Sequence, residues 1–358
     1  MRMRTFPGIS LLALLLLAPA PACAQKGVWT DPADETLPID FELQGEYEGE
    51  IADGAKLGCQ VIALGNGALH AVILPGGLPG AGWDGENKIL LSGKVEGESA
   101  ALTAASGNRK YLGNSPEEFS ATSQFPPTGQ KDYTATLERG ALHGKTEDGK
   151  AFELKKVTRE SETLGAKPPE GAKVLFDGTA ASLANWNGGR VDEKTGYLNT
   201  DGSDILTKDK FNNYTMHIEF MLPYRPDARG QGRGNSGFYQ VDHYEVQVLD
   251  SFGLAGKNNE CGGVYTIKEP DVNMCYPPLT WQTYDVEFTN AVADENGKKV
   301  KNAVLTVKHN GVVIHDKIEL PGKTGGSRGE PEGTPGPLKL QGHGNPLQYR
   351  NIWIVEQK

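Results

Sequence analysis

The sequence predicts an all-β protein built from two turn-rich β domains. Three observations lead there. The 358 residues include 46 glycines and 22 prolines, and both residue types break helices. Short runs alternate between apolar and polar residues, while the helical period is hard to find anywhere. Turn signals such as Gly65-Asn66-Gly67, Asp148-Gly149 and His309-Asn310-Gly311 separate the runs. Hydrophobic residues at 37% and aromatics at 8% are enough to seed cores, which argues against a wholly disordered chain. Length alone suggests about two domains. Acids outnumber bases 46 to 36, and no Lys/Arg block occurs, so nucleic acid is not an expected partner.

The first segment reads as an export signal. Arg2 and Arg4 precede an apolar run from Ile9 to Ala18, too short to span a bilayer. Ala22-Cys23-Ala24 offers small residues for cleavage before Gln25; the alternative is lipoprotein processing at Cys23. Removing residues 1–24 takes the formal charge from −10 to −12, since two arginines and no acid leave. No second long apolar run follows, so no transmembrane segment is expected and the destination is periplasmic or extracellular. Export would permit disulfides. Cys261 and Cys275 are 14 residues apart, and a bridge there would add about 3 kcal/mol on a chain-entropy estimate. We expect that bridge; two buried thiols are the alternative. Cys59 reads as a small core residue.

In the first half, 42–49, 60–64, 69–74, 88–91, 133–137 and 152–157 read as strands of a small β-rich domain over residues 38–158. Polar residues 159–171, with Pro168-Pro169, read as a linker. From 172 the pattern restarts. Eleven strands are expected in residues 172–357: 173–176, 204–207, 214–222, 237–240, 244–249, 263–267, 283–289, 303–309, 312–315, 338–341 and 351–355. That many short strands without helices imply a two-sheet sandwich or jelly roll. Alternation then assigns faces. Tyr214, Met216, Ile218 and Phe220 oppose His217 and Glu219. Tyr244, Val246 and Val248 oppose His243, Glu245 and Gln247, while Leu338 and Leu340 oppose Lys339, Gln341 and His343. Polar outer faces are the ordinary expectation; ionisable groups and amides on several strands can instead line a cleft.

The second half also carries a series of motifs: Val174-Leu175-Phe176-Asp177-Gly178, Gly234-Asn235-Ser236-Gly237, Tyr244 to Ser251, Trp281-Gln282-Thr283-Tyr284-Asp285, Leu340 to Pro346 and Tyr349 to Trp353. In this order they resemble the 3-keto-disaccharide hydrolase domain family, over about residues 172–356. The resemblance implies a concanavalin A-like jelly roll. It also implies action on glycosides whose sugar is oxidised to a ketone at C3. Fold alone would not license that activity, because the same sandwich serves enzymes and lectins.

The residues can be weighed against that chemistry. A retaining glycosidase needs two carboxyls about 5–5.5 Å apart. Here Glu245 is followed two residues on by Gln247, and Asp250 has the opposite parity, so a two-carboxylate mechanism on this strand is disfavoured. A 3-keto sugar needs less. Its ketone acidifies the C2 proton, so one base, one donor or cation for the enolate oxygen and one acid for the leaving group suffice. Glu245 and His343 are the catalytic candidates. Gln247, Gln341, Arg350, His243 and Glu219 are the substrate-binding candidates. Each has a bland counterpart: a structural carboxylate, a turn histidine, solvated strand faces. A divalent metal ion on Glu245, Gln247 and His343 is compatible by ligand type. No phosphate loop or dinucleotide fingerprint appears, so no nucleotide cofactor is expected. Non-catalytic carbohydrate binding and an envelope structural role stand as alternatives.

Overall fold

The computed structural model describes residues 27–357. The expected export signal 1–24, with Cys23 and Gln25, lies outside the described residues. A short helix, α1 (Ile39–Leu43), leads into eight antiparallel strands that close on themselves. These are β1 (Gly45–Ile51), β2 (Lys56–Ala63), β3 (Ala68–Pro75), β4 (Ile89–Glu96), β5 (Ser99–Ala104), β8 (Thr134–Glu138), β9 (Ala141–Lys145) and β10 (Ala151–Val157). Between β5 and β8 an excursion carries β6 (Lys110–Tyr111) and β7 (Phe119–Ser120). The barrel order is β1-β10-β9-β8-β5-β4-β3-β2. Its closing pair joins residues about a hundred positions apart, Glu46 to Val157 and Ile51 to Phe152. Alternate residues such as Tyr47, Val61, Leu102 and Leu142 point inward and fill it.

The remaining strands form a two-sheet sandwich, apart from a separate two-stranded ribbon that pairs residues 292–293 with 299–301. They are β11 (Lys173–Phe176), β12 (Trp186–Asn187), β13 (Arg190–Val191), β14 (Leu198–Asn199), β15 (Ile205–Thr207), β16 (Tyr214–Met221), β17 (Ser236–Gln240) and β18 (Tyr244–Val248). After them come β19 (Trp281–Thr289), β20 (Val292–Ala293), β21 (Lys299–Lys301), β22 (Ala303–His309), β23 (Val312–Leu320), β24 (Lys339–Leu340) and β25 (Gln348–Glu356). The larger sheet runs β13-β14-β25-β16-β19-β22-β23, with β11 on β25; the smaller runs β12-β15-β24-β17-β18. A turn of helix, α2 (Ala180–Leu183), is capped by Thr179. Met216, Ile218 and Phe220 from the larger sheet meet Phe238, Val246 and Leu340 from the smaller in one core. Glu245 and Gln247 therefore face out of the smaller sheet, and His217 and Glu219 out of the larger.

The two halves share cores. Tyr224 and Leu279, from the sandwich, enter the barrel's apolar cluster, and the Tyr224 hydroxyl donates to Asp40 at 2.9 Å. Ile62, Leu74 and Phe119 of the barrel side join the sandwich core. The expected linker is docked as well. Along residues 161–166, Thr163 Oγ1 donates to Asp285 at 2.6 Å, and the Ala166 carbonyl accepts from Asn351 and Trp353.

Several sequence expectations need correction. The run 263–267 makes only isolated bridges. Strands β5 and β9 were not anticipated, because small residues and Gly144 blur their alternation. The Cys261–Cys275 bridge is absent: both are free, buried thiols, as is Cys59. The Cys261 and Cys275 thiols adjoin each other, and each has a further partner. Cys261 Sγ lies 3.2 Å from the Tyr284 hydroxyl, and Cys275 Sγ points at the carbonyls of Leu249 and Tyr276.

Candidate functional site

The site is a cross-strand row on the outer face of the smaller sheet. Register places Lys339 of β24 opposite Tyr239 of β17, and Tyr239 opposite Glu245 of β18. Opposed residues on one face have Cβ atoms about 5 Å apart, so the three side chains meet. The Tyr239 hydroxyl is 2.8 Å from Glu245 Oε2 and 2.9 Å from the Gly325 carbonyl. It can donate to the carboxylate when Glu245 is ionised. When Glu245 is protonated, it can accept from the acid and donate to Gly325 instead. Both protonation states therefore have a partner. The next residue of β17 on this face is Gly237, where a Cβ would fall 2.2 Å from Glu245 Oε1. Glycine there leaves the second oxygen its space.

Lys339 supplies the positive charge. Its Nζ lies 3.8 Å from the centre of the Tyr239 ring. It pairs with Asp242 at 2.7 Å and donates to the Gly326 carbonyl at 2.5 Å. An ammonium has three protons; Asp204, the third neighbour, lies 3.9 Å away and beyond hydrogen-bond distance, so one donor remains for a ligand. Gln341, two residues on, reaches the Tyr239 hydroxyl at 3.4 Å.

Burial sets the electrostatics. Glu245 is 3% exposed. Desolvation lifts its pKa to about 7, against the lowering pull of Tyr239 and Lys339. A carboxyl titrating there can take or give a proton at neutral pH. Burial also raises Asp242, although Lys339 opposes it.

The tight turn between β17 and β18 aims this row. Val241 and Asp242 both have positive φ, 45° and 53°, and the His243 N–H closes the turn on the Gln240 carbonyl at 2.9 Å. That conformation is costly for β-branched Val241. Over the turn lies the glycine-rich segment 321–337. Thr324 Oγ1 accepts from the Glu245 N–H at 2.9 Å, and Arg328 donates to the Val241 carbonyl at 3.0 Å. This segment thus covers Glu245 and His243.

Of the residues singled out from sequence, Glu245 and Gln341 meet in this row. His243 sits at the turn, fully buried, with neither ring nitrogen hydrogen-bonded. Burial, helped by Arg328 and Lys323, lowers its pKa to about 4. Gln247 is buried beside Glu245, but its amide is already engaged. Its Oε1 accepts from the Val248 N–H at 2.9 Å, and its Nε2 donates to Gln231 at 3.2 Å. His343 is exposed at the rim, two residues past Gln341. Among the described residues, no group of three or more His, Cys, Asp or Glu converges to hold a metal.

Glu219 and Arg350 lie elsewhere. They pair at 2.6 Å on the outer face of the larger sheet, across the sandwich from Glu245. Glu219 also accepts from the Gly165 N–H at 2.6 Å and from Asn351 at 2.8 Å. Burial would raise its pKa, but these donors and His217 bring it down to about 2. Burial likewise opposes a charge on His217, yet Asp285 at 2.7 Å and Glu219 hold its pKa up. The pair fastens segment 161–166 to the sheet and shares no ligand with Glu245.

Tyr239, Lys339 and Asp242 were not singled out from sequence. The one available signal was parity, which puts Lys339 on the face of Gln341; its alignment with Tyr239 and Glu245 depends on pairing across about a hundred residues.

Sandwiches of this kind serve enzymes and lectins alike; a desolvated carboxyl beside a cation suits the enzymes among them. The chain belongs to the family of 3-keto-alpha-glucoside-1,2-lyase-like domains, whose profile matches residues 171–355. That family places its second half among glycoside-acting enzymes. A protein of Parabacteroides distasonis, provisionally named a glycosyl hydrolase, is similar at 34% identity, over 53% of this chain and 85% of its own, with a TM-score of 0.49. A second from that organism, named likewise, is similar at 20% identity, over 56% of this chain and 99% of its own, with a TM-score of 0.40. No curated protein matches the chain.

Proposed function

We propose that the sandwich cleaves 3-keto-glycosides by elimination across C1 and C2. Glu245, as carboxylate, takes the C2 proton. The electron pair left behind moves toward the C3 ketone and gives an enolate, whose oxygen the free donor of Lys339 stabilises. The enolate re-forms the ketone, a C1–C2 double bond forms, and the bond from C1 to the aglycone oxygen breaks. The leaving oxygen takes a proton from Glu245, now the acid. The product is a 1,2-unsaturated 3-keto sugar plus the free aglycone alcohol; water added later across the double bond makes the net result hydrolysis.

The observation that supports this reading is the adjacency of a buried carboxyl with a pKa near 7 and the Lys339 ammonium on neighbouring strands. Because Glu245 is covered, substrate reaches it when segment 321–337 lifts from Gly325 and Gly326. We also propose that the protein acts after export, on the strength of Arg2, Arg4 and the apolar run that follows. Intact-mass measurement of exported protein separates a Gln25 start from an acylated Cys23.

The decisive experiment is NMR product analysis on a 3-keto-glucoside and its unoxidised parent. The keto sugar is expected to be cleaved, with a 1,2-unsaturated product or its hydrate, and the parent left intact. Equal rates on both would end this reading, since the parent has no acidified C2 proton.

A further inference from the structure

Among the described residues no hydrogen bond or ion pair joins the N-terminal barrel to Lys339 or Tyr239, yet the barrel side touches both loops that border the other end of the cleft. That end is a cluster of amides next to Glu245. Gln247 Nε2 donates to Gln231 Oε1 at 3.2 Å, Asn235 Nδ2 donates to the same oxygen at 3.0 Å, and Gln231 Nε2 donates to the Asn259 carbonyl at 2.7 Å. Gln247 and Asn235 are buried; Gln231 is the half-exposed member. Asn235 Oδ1 is buried and accepts no hydrogen bond. Gln247 lies two residues from Glu245 on the same face, about 7 Å along the strand.

Both loops are held by barrel residues. Arg229 donates to the Leu64 carbonyl at 2.8 Å and Arg233 to the Ala63 carbonyl at 3.0 Å, which fixes the loop before Gln231 and the strand start after it. On the other side, Tyr111 of β6 donates its hydroxyl proton to Glu260 Oε1. Glu260 Oε2 gathers the N–H groups of Gly256 and Lys257 at 2.8 and 2.9 Å, which closes the 256–260 turn. The Asn259 carbonyl, the acceptor for Gln231, belongs to that turn. Leu112, next to Tyr111, packs against Gly230, the neighbour of Gln231. The chain of contacts runs from barrel to Glu260, to Asn259, to Gln231.

We propose that Gln231 binds a sugar hydroxyl at the Gln247 end of the cleft, and that Tyr111 of the barrel side is its positioning residue. A half-exposed amide held on both sides by protein groups is pre-oriented for ligand hydroxyls, so little ordering entropy opposes binding. The barrel, whose interior is filled with side chains, thereby acts as part of the cleft wall. This inference rests on the reading of Glu245 as the catalytic group.

The test uses the full chain and four variants: Gln231→Ala, Tyr111→Phe, the double variant, and Leu142→Ala, which opens a cavity inside the barrel away from both loops. One hydrogen bond to a neutral partner corresponds to roughly a tenfold change in KM. Gln231→Ala is expected to raise KM for a 3-keto-disaccharide about tenfold, and Tyr111→Phe about fivefold, with kcat unchanged. The double variant should match Gln231→Ala alone, because the tyrosine acts through the glutamine. Leu142→Ala should lower Tm and leave KM as it was. An unchanged KM in Tyr111→Phe, multiplying effects, or a KM rise in Leu142→Ala would each overturn the proposal. Hydrogen exchange separates its failure from that of the underlying reading. Faster exchange across 229–235 and 256–260 in Tyr111→Phe supports the barrel-to-loop link even if wild type leaves 3-keto sugars untouched; unchanged exchange overturns it.

Discussion

Glu245 and Glu219 are a matched pair with opposite electrostatics. Each stands on an outward face of the sandwich, one on each sheet, and each is almost wholly buried. Glu219 accepts from Arg350, Asn351 and the Gly165 N–H, and its pKa falls to about 2. Glu245 has the Tyr239 hydroxyl and a lysine already shared with Asp242, and its pKa rises to about 7. Burial is common to both, so it does not separate a structural carboxylate from a reactive one. The number of committed donors does. A saturated carboxylate is locked in its charged form, whereas one with spare capacity can exchange a proton.

Replacement of each glutamate tests that contrast most directly. Glu245→Gln should reduce kcat on a 3-keto-glucoside by at least about 100-fold, within the range of general acid–base groups. Its Tm should rise at pH 8. The sign follows from the raised pKa. A group whose folded pKa lies above its unfolded value stabilises below the unfolded value, and that stabilisation is lost as pH rises through about 7. At pH 8 the buried charge opposes folding, and glutamine removes it. Loss of stability at pH 8 without loss of rate would reverse the roles assigned to the two residues. Wild-type kcat/KM should likewise fall as pH drops through about 7, because the base must be ionised.

Lys339→Met comes next. It removes the donor assigned to the enolate, and loss of one such donor costs about 100-fold in kcat. It also removes a cation that lowers the Glu245 pKa, so the acidic limb of the rate profile should move to higher pH. A rate loss with an unmoved limb would show that the ammonium does not act on Glu245.

How far this site could be read in advance follows from the range of each signal. Alternation along one strand put Glu245 and Glu219 on outward faces, and the family motifs drew attention to Tyr244–Ser251 and Leu340–Pro346. Those signals are local. Alternation does not say which sheet a strand joins, so Glu219 and Arg350 were grouped with Glu245 although the core lies between them. Lys339 looked like an ordinary solvated lysine until pairing of β24 with β17 brought it to Tyr239. Barrel closure was hidden for the same reason, since it joins β1 to β10. Cys261 and Cys275 were paired by spacing and compartment; the structure brings the two thiols together, but with no bond between them. Alkylation of the denatured, unreduced protein should label Cys59, Cys261 and Cys275; protection of the last two would restore the bridge.

Glu219→Gln tests the other half of the contrast through stability. It leaves Arg350 without its carboxylate and should reduce stability by about 2–3 kcal/mol, a range set by the partial exposure of Arg350. Activity should stay within a few-fold of wild type, because Glu219 lies on the opposite outer face. Its pH dependence has the opposite sign to that of Glu245. A depressed pKa stabilises above the unfolded value of about 4.5, and the contribution is lost as pH falls toward about 2. Wild-type Tm should thus drop between pH 5 and pH 3 more steeply than that of the variant.

His343→Asn is the smallest expected effect and the one that probes the covered state of the cleft. His343 is exposed, and among the described residues it makes no hydrogen bond to the Glu245 row. Since Glu245 serves as both base and acid in the proposed sequence, nothing requires a second proton donor. The variant should keep kcat/KM within about threefold of wild type, the size of change usual for an exposed side chain. A loss near 100-fold would carry a specific meaning. Catalytic hydrogen bonds can form only in the substrate complex, so such a loss would place His343 over the leaving oxygen once segment 321–337 has moved. The comparison would then lie between Glu245 as sole proton carrier and Glu245 sharing that task with a histidine recruited from the rim.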